Sequence, residues 1–268
     1  MTERAAAPPP RDVAFRGDLF LPKTRRIAGA LSLVALIGLW QLASSAGWLD
    51  PVLAPSPREV FAALAAMARS GELAGHLAAS LQRLGGGFAL GATAGVLFGL
   101  AVGLFSIVRS PGIAVVSALF PIPKIALLPL FILWFGIGEG SKLATIGFGS
   151  FFPTVVATYG AVDGVDRSLV RMGRAFGLSP LAIIGKIVLP GAMPGILSGL
   201  RIAASISIVL LVAAEMIGAN RGIGAMVLAS GNLMQSDRLL GGVVVLSVLG
   251  LLVSGLLGFI ERRLTAWR

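Results

Sequence analysis

Residues 163–180 of this 268-residue chain read DGVDRSLVRMGRAFGLSP, a polar stretch between long apolar runs. Asp166 can cap a helix over Arg167–Phe176, and Gly177 stands where the left-handed residue that ends a helix is expected. The pair Ser179-Pro180 can start a second helix, because serine caps well and proline suits the first helical position. This stretch therefore predicts a structured element, of the kind that contacts a partner.

The composition is that of a membrane protein. Hydrophobic residues make up 56% of the chain and charged residues 13%, with a mean hydropathy of +0.91. This is enough apolar sequence for several spans of about 20 residues each. The chain has no cysteine and a single histidine, His76, so we expect neither disulfides nor a metal site.

The net charge of +10 could indicate nucleic-acid binding. However, the basic residues gather at the ends of apolar runs, as membrane topology requires, and the aromatic residues do not interleave with them. We therefore expect contact with a lipid bilayer and no nucleic-acid partner.

The apolar runs predict an all-α membrane protein with six transmembrane helices. A further helix, Pro57–Leu84, is amphipathic and too polar to span. The predicted spans are Ile27–Ala46, Phe88–Val108, Gly112–Phe135, Leu143–Val162, Ala192–Ile217 and Leu239–Ile260.

The distribution of lysine and arginine predicts the orientation of these spans. With the N-terminus inside, most basic residues lie in cytoplasmic segments, and only a few, Arg83 among them, lie outside. Both termini and the loop at residues 163–190 are then cytoplasmic. The predicted segments are a disordered cytoplasmic tail (1–26), the first transmembrane helix (27–46), an extracytoplasmic amphipathic helix with the entry to the core (47–87), the transmembrane core (88–260) and a cytoplasmic C-terminal tail (261–268).

Glycines in the second predicted span recur every four residues, at Gly87, Gly91, Gly95, Gly99 and Gly103. On a helix they form one smooth stripe that lets another backbone approach closely. We expect a tightly packed helix pair; glycines alone predict no pore and no ligand site.

The spacing in the loop resembles a known family motif. Gly177, nine intervening residues and then Ile187-x-Leu189-Pro190 are similar to the Gly-x9-Ile-x-Leu-Pro core of the EAA loop. That loop marks the permease subunits of binding-protein-dependent ABC importers. The similarity extends over roughly Leu53–Arg268 and includes Leu53-x-Pro55-Ser56-Pro57, Pro129–Lys142, Phe151-Phe152-Pro153, Leu189–Pro194 and Gly199-Leu200-Arg201.

These motifs resemble the subgroup of sulfonate, taurine and nitrate permeases and their relatives that import thiamine-precursor pyrimidines. The resemblance implies the type I ABC importer permease (MetI-like) fold, a homodimer in the bacterial inner membrane, and an extracytoplasmic substrate-binding protein. It also implies two cytoplasmic ATPase subunits that bind ATP and Mg, with no cofactor on this chain. The expected cargo is a small solute such as a sulfonate, taurine or nitrate.

The loop helix carries the candidate docking residues for the ATPase subunit. An apolar stripe on one face lies opposite a basic stripe of three arginines, Arg167, Arg171 and Arg174. By itself this pattern fits equally a helix lying on anionic head groups and a helix docking into a partner's groove. With the resemblance, the predicted docking residues are Leu169, Arg171, Met172, Ala175, Phe176, Gly177, Leu178 and Pro190.

Arg171 departs from the family pattern. The family has a glutamate six residues before the glycine, and here that position is Arg171. An acidic contact to the ATPase therefore cannot be carried over. We hypothesise that Arg171 pairs with an acidic residue of its partner or supports the loop internally.

The third predicted span contains Pro121, Pro123 and Pro129, so its helix must bend or break. Broken helices often line transport routes, although a merely kinked packing helix fits equally. Lys124 follows the break and is a candidate path residue for anionic solutes; helix-end snorkelling or structural pairing is the alternative.

Glu215 is a candidate for an external gate or a binding-protein surface, with simple packing as the alternative. Arg201 and Glu215 stand 14 residues apart, so both could snorkel towards opposite interfaces.

The sequence offers no site for ATP hydrolysis. Residues 136–142, GIGEGSK, lack the Gly-Lys-[Ser/Thr] order of a phosphate loop and predict a tight turn. We therefore expect no enzyme activity in this chain and ATP hydrolysis on a separate subunit. Two other functions stay open: a secondary transporter driven by an ion gradient, and a membrane assembly factor that does not transport.

Overall fold

The computed structural model describes residues 26–265, and within this range every regular element is helical. The predicted all-α fold is confirmed. The predicted N-terminal tail, apart from Arg26, and the last three residues of the C-terminal tail lie outside the described residues. The helices are α1 (Arg26–Ser45), α2 (Pro57–Arg69), α3 (Glu72–Leu104), α4 (Ser106–Leu119), α5 (Leu128–Phe135), α6 (Glu139–Asp163), α7 (Arg167–Ala175), α8 (Pro180–Ile183), α9 (Leu189–Gly218), α10 (Ile223–Asn232) and α11 (Ser236–Leu264).

Within the described range, four helical runs are long and apolar enough to cross a membrane: α3, α6, α11 and the run Pro180–Gly218, which joins α8 to α9. Helix α4 and the segment Lys124–Phe135 meet this criterion only as a pair, bent by 87°, which would make five spans. The described apolar part of α1, Leu31–Ser45, is shorter than a span of this kind. The predicted count of six is therefore not confirmed.

The prediction of one amphipathic helix over Pro57–Leu84 is wrong. Helix α2 ends at Arg69, and Gly71, with a φ of +77°, turns the chain into α3. The polar segment beyond Gly71 is instead the first part of α3, which runs unbroken to Leu104 through the predicted second span. The charged side chains of this segment are paired with other helices of the bundle: Glu72 with Arg238, and Arg83 with Glu139 and Glu215.

The bend predicted by the prolines of the third span is confirmed. Helix α4 ends at Leu119, Pro121 and Pro123 occupy the break, and a 3₁₀ turn follows before α5. Pro129 does not break α5, because it lies in the first turn, where its missing N–H leaves no bond unmade. Helix α10, between α9 and α11, was not predicted from the sequence.

The glycine stripe of α3 packs against α6, as predicted. A Cβ atom added to Gly91 would lie 2.0 Å from the carbonyl oxygen of Gly147 and 2.1 Å from Oγ of Ser150. Gly95 and Gly99 approach Thr154 and Thr158 in the same way. Backbones that come this close leave no room for larger residues, so α3 and α6 form the rigid centre of the bundle.

Helix α9 also packs closely on α6 through glycines. A Cβ atom on Gly195 would lie 2.6 Å from the methyl group of Ala161, and one on Gly199 would lie 2.0 Å from that of Ala157. Helix α6 is therefore held between α3 and α9.

Candidate functional site

The local structure predicted for the loop at residues 163–190 is confirmed. Helix α7 begins after Asp166, whose carboxylate accepts a hydrogen bond of 2.7 Å from the backbone N–H of Ser168. This bond to the ionised form lowers the pKa of Asp166. Helix α8 has Ser179 as its cap and Pro180 as its first residue.

Gly177 ends α7 with a φ of +74°. Its N–H donates to the carbonyl of Arg174, and the N–H of Leu178 donates to the carbonyl of Gly173, each at 3.0 Å. These two bonds make a Schellman motif, which places a glycine where this one lies. A Cβ atom at Gly177 would meet no atom within 4 Å, so the backbone angle alone favours glycine here.

Helix α7 has a packed face, an exposed apolar face and a face formed by its three arginines. Its packed edge contains the half-buried Val170 and the buried Gly173, where a Cβ atom would lie 2.8 Å from Ile187. Leu169, Met172 and Phe176 form a separate, exposed apolar face, and 79% of Phe176 is accessible. This is the predicted apolar stripe, and among the residues that the structure describes it packs against no buried core cluster.

The arginines of α7 line a groove of about 840 Å³, between α7–α8 and the ends of α3 and α6. Arg109, which lines the same groove, forms an ion pair with Asp163. Within residues 26–265, Arg171 forms no ion pair with Asp or Glu, so the structure provides no internal salt bridge for it.

The loop is packed onto the bundle. Val165, Leu178 and Ile187 contact a buried cluster of apolar side chains from α6, α8, α9 and the turn between α8 and α9: Val162, Ile183, Val188, Ala192 and Ile196. Residues Ile184–Val188 form a π-helical turn that joins α8 to α9. Pro190 explains this turn, because its ring would clash with the carbonyl four residues earlier and it has no N–H to donate.

The residues proposed for a translocation path lie at the α4–α5 bend. The ammonium group of Lys124 donates to the carbonyl of Phe120, and its Nζ lies 4.8 Å from the ring centroid of Phe120 and 5.5 Å from that of Phe152. Lys124 is half-buried beside these rings and directly follows the break between α4 and α5 that contains Pro121 and Pro123. This geometry gives Lys124 cation–π partners.

Of the alternatives that the sequence left open for Glu215, the structure excludes snorkelling towards an interface. Its side chain is 0% exposed, and it accepts hydrogen bonds from Ser80 Oγ, Arg83 Nη1 and the Gly224 N–H at 2.8, 2.8 and 2.9 Å. Three donors, one of them cationic, compensate for the loss of water around the carboxylate. Arg201, near the middle of α9, pairs with Glu261 of α11.

Arg83 lies at the centre of a charge network that the sequence analysis missed. Its Nε and Nη2 bind the two carboxylate oxygens of Glu139 at 2.6 and 2.7 Å, while its Nη1 binds Glu215 and the carbonyl of Arg221. Lys142 adds a second cation, whose Nζ lies 3.8 Å from a carboxylate oxygen of Glu139. We call Ser80, Arg83, Glu139, Lys142 and Glu215 the charge network. The signal in the sequence was a set of charges inside helices that are otherwise apolar, which requires partners.

A bowl of about 580 Å³ opens beside the charge network, lined in part by Arg83, Glu139, Lys142 and Arg221. The network therefore has a buried side at Glu215 and an accessible side at Glu139. It lies at the end of α9 opposite the loop at residues 163–190.

The chain is similar to several transport proteins. It is 33% identical over 240 residues to the putative aliphatic sulfonates transport permease protein SsuC of Bacillus subtilis (strain 168), covering 90% of this chain and 87% of that protein. It is 36% identical over 242 residues to the SsuC protein of Escherichia coli (strain K12), covering 90% and 92%. It is 33% identical over 252 residues to the taurine transport system permease protein TauC of Escherichia coli (strain K12), covering 92% of each chain.

The fold is similar to that of a chain in inward-facing structures of the MetNI methionine ABC transporter. The TM-score is 0.57 at 23% identity, covering 70% of this chain and 92% of that chain. The type I permease fold expected from the loop motif is therefore confirmed. The family described as binding-protein-dependent transport system inner membrane component matches residues 91–266, and this chain belongs to that family.

Proposed function

We propose that this chain is the permease subunit of an ATP-driven importer for a small organic anion of the sulfonate or taurine class. The similarity to aliphatic sulfonate and taurine permeases over about nine-tenths of the chain supports the substrate class. Nitrate and related small solutes are the neighbouring candidates. The extracytoplasmic binding protein delivers the solute, and this chain forms the route through the bacterial inner membrane.

The exposed apolar face of α7 is the single observation that carries this proposal. Leu169, Met172 and Phe176 are accessible at the tip of a loop that is otherwise capped and packed. An apolar helix face of this size favours docking into the groove of a soluble partner. The partner is an ATPase subunit, and Ala175, Gly177, Leu178 and Pro190 shape the docking element.

The rigidity of the loop supports its role as a lever. The Schellman motif at Gly177 holds the end of α7, and the run Pro180–Gly218 continues from the loop into a spanning helix. Closure of the ATPase subunits on ATP would therefore move this helix as a body.

The assembly we propose has two copies of this permease, two ATPase subunits that bind ATP and Mg, and one binding protein. Both termini and the loop face the cytoplasm, and the charge network faces outward. Residues 88–260 keep the role of transmembrane core, with residues 163–190 as the coupling loop, while α2 and the start of α3 replace the single amphipathic helix predicted within residues 47–87.

Lys124, with Pro121 and Pro123, is proposed to line the path for the anion, and Glu215 to hold its outer gate. In a reconstituted complex, Lys124→Ala should reduce uptake of an anionic solute more than uptake of a neutral one. Equal loss of both would contradict a role for the charge of Lys124.

Arg171 is proposed to meet an acidic residue of the ATPase subunit. Arg171→Glu should then weaken assembly and coupled ATP hydrolysis. Unchanged assembly and hydrolysis would remove Arg171 from the docking surface.

The proposed function is tested by copurification and reconstitution. The chain, its ATPase subunit and its binding protein are placed in liposomes, and ATP-dependent uptake of taurine and of an alkanesulfonate is measured. Phe176→Ala should weaken copurification of the ATPase about 30-fold, as loss of an anchor worth about 2 kcal/mol would. Leu133→Ala, at a similarly exposed residue of α5, is the control and should copurify normally.

Other outcomes would support other functions. Uptake by the chain alone without ATP would indicate a secondary transporter. Binding of partners without any solute uptake would indicate an assembly factor.

A further inference from the structure

The charge network joins the ends of three helices. Arg83 lies on α3, Glu139 is the first residue of α6, and Glu215 lies three residues before the end of α9. Arg83 contacts both carboxylates and the carbonyl of Arg221, which follows α9. One guanidinium group therefore connects the three helices that form the centre of the bundle.

The helix that ends in this network begins in the coupling loop. The run Pro180–Gly218 has 39 residues, which corresponds to about 58 Å at 1.5 Å per residue. One end contacts α7 through the packing of Ile183 and Ile187, and the other end carries Glu215. A continuous helical run of α8, the π-helical turn and α9 therefore connects the coupling loop to the charge network.

The turn after this helix is built around the Glu215 carboxylate. Gly222 has a φ of +135°, and a Cβ atom there would lie 2.3 Å from the carboxylate carbon of Glu215. The N–H of Gly224 donates to the same carboxylate, and the His76 ring contacts the backbone of Gly222. The turn and the end of α9 therefore form one packed unit around a buried charge.

The two carboxylates bound by Arg83 differ in exposure. The Glu215 side chain is 0% exposed, whereas that of Glu139 is 59% exposed and faces the bowl. Glu139 follows a turn that begins at Gly136, with a φ of +77°. The contact with Glu215 belongs to the packed unit, whereas the Glu139 carboxylate can leave Arg83 and still reach the accessible bowl.

We propose that Arg83 is a positioning residue for transport, which fixes the outer end of the Pro180–Gly218 helix to α6 through Glu139. A binding protein seated at this end and an ATPase docked at the loop then act on the same rigid element. Loss of the Arg83–Glu139 contact lets the first turn of α6 move independently of the end of α9, while the middle of the two helices stays packed. This inference rests on the proposed function, and it concerns communication between the two ends rather than binding at either one.

The test is the ratio of binding-protein-stimulated to basal ATP hydrolysis in the full complex in liposomes. Glu139→Gln removes the charge and the two-oxygen contact while keeping the size of the side chain. The ratio should fall about fivefold, as expected for loss of a partly exposed charged pair. Glu139→Asp, which keeps the charge, should recover part of the ratio; a purely structural role would not produce this recovery.

A second variant tests the contact between Arg83 and the buried Glu215. Arg83→Gln with Glu215→Gln replaces both charges by amides that can still hydrogen-bond, so no uncompensated charge stays buried. This double variant should fold and should lose stimulation to the same extent as Glu139→Gln. Normal stimulation by the folded double variant would overturn the role of Arg83.

The matched control is Glu72→Gln, which breaks the Arg238–Glu72 ion pair of 2.7 Å between α11 and α3. That pair is also partly exposed and lies outside the charge network, so stimulation should stay as in the unmodified complex. If Glu139→Gln keeps normal stimulation, or if Glu72→Gln loses it equally, the inference is overturned. Absence of stimulation in the unmodified complex would instead overturn the proposed function, and the inference with it.

Discussion

The coupling loop and the charge network lie at opposite ends of the Pro180–Gly218 run, and they are built in opposite ways. In the loop, Asp166 bonds a backbone N–H two residues away, and Leu178 bonds a carbonyl of the same helix. In the network, Arg83 bonds groups 56 and 132 positions away in the sequence. The loop is local and exposed, whereas the network is long-range and largely buried. We therefore expect network mutations that leave the Glu215 carboxylate buried without its cation to act mainly on folding, and mutations at the loop to act mainly on coupling.

The largest effect is expected at the network. Arg83→Ala leaves the buried Glu215 carboxylate with neutral donors only, which should lower stability by about 3–5 kcal/mol. The thermal midpoint and the recovered yield of the detergent-purified chain measure this effect. Glu139→Ala should cost less, because the Glu139 side chain is 59% exposed and Arg83 keeps its bonds to Glu215 and to the carbonyl of Arg221. Equal losses for the two variants would contradict the distinction between a buried and a separable contact.

The close packing of α3 on α6, between the coupling loop and the charge network, is tested by substituting two glycines of α3. Gly91→Ala places a methyl group against the carbonyl of Gly147, and overpacking against a backbone atom should cost about 1–3 kcal/mol. Gly85→Ala is the control, since a Cβ atom there meets nothing within 4 Å. The difference between the two thermal midpoints isolates the clash, because both variants gain the same helix propensity. Similar midpoints would show that α3 and α6 can separate without cost.

At the loop, Gly177→Val should lower the stability of the protein less than Gly91→Ala does, and it should impair the coupling of ATP hydrolysis to uptake more. Valine at a φ of +74° is strained by about 1–2 kcal/mol, and this strain falls on the end of α7 alone. Solute uptake per ATP hydrolysed should fall, while the thermal midpoint of the bundle changes little. Gly177→Asn is the control, because asparagine tolerates this conformation. Normal uptake by the valine variant would refute the lever assignment.

The smallest effect is a pH dependence at the cap of α7. The bond from the Ser168 N–H lowers the pKa of Asp166, so its stabilisation is present above the unfolded pKa and is lost as the pH falls through the folded pKa. Protease cleavage within the loop should therefore increase at acidic pH. Asp166→Asn can cap the helix but does not titrate, and its cleavage should not show this component. Identical pH profiles of cleavage for the unmodified chain and Asp166→Asn would show that Asp166 does not cause the pH dependence.

The capping and turn residues of the loop were sufficient to predict its secondary structure, because each acts on residues close to it in the sequence. Asp166, Gly177 and Ser179 each act on their own neighbours, and the structure places them as the sequence predicts. The four-residue period of Gly87–Gly103 likewise predicted a close helix partner. It did not identify that partner as α6, because which helices pair depends on the whole bundle.

Signals that depend on partners elsewhere were misread. Arg83 and Glu215 look like costly charges when their helices are taken singly, and the long separation between them leaves no local pattern. The break at Gly71 was missed because one amphipathic pattern covers both α2 and the start of α3.

The sequence by itself indicated the family, through the motifs that resemble those of known permeases. It also determined the all-α class and the capped loop at residues 163–190, because these two rest on composition and on contacts between near neighbours. Only the tertiary structure decided that the α4–α5 segment bends by 87°, that α6 lies between α3 and α9, and that Arg83 joins Glu139 to Glu215. A buried charge is stable only with its partners around it, and those partners come together only when the helices are packed.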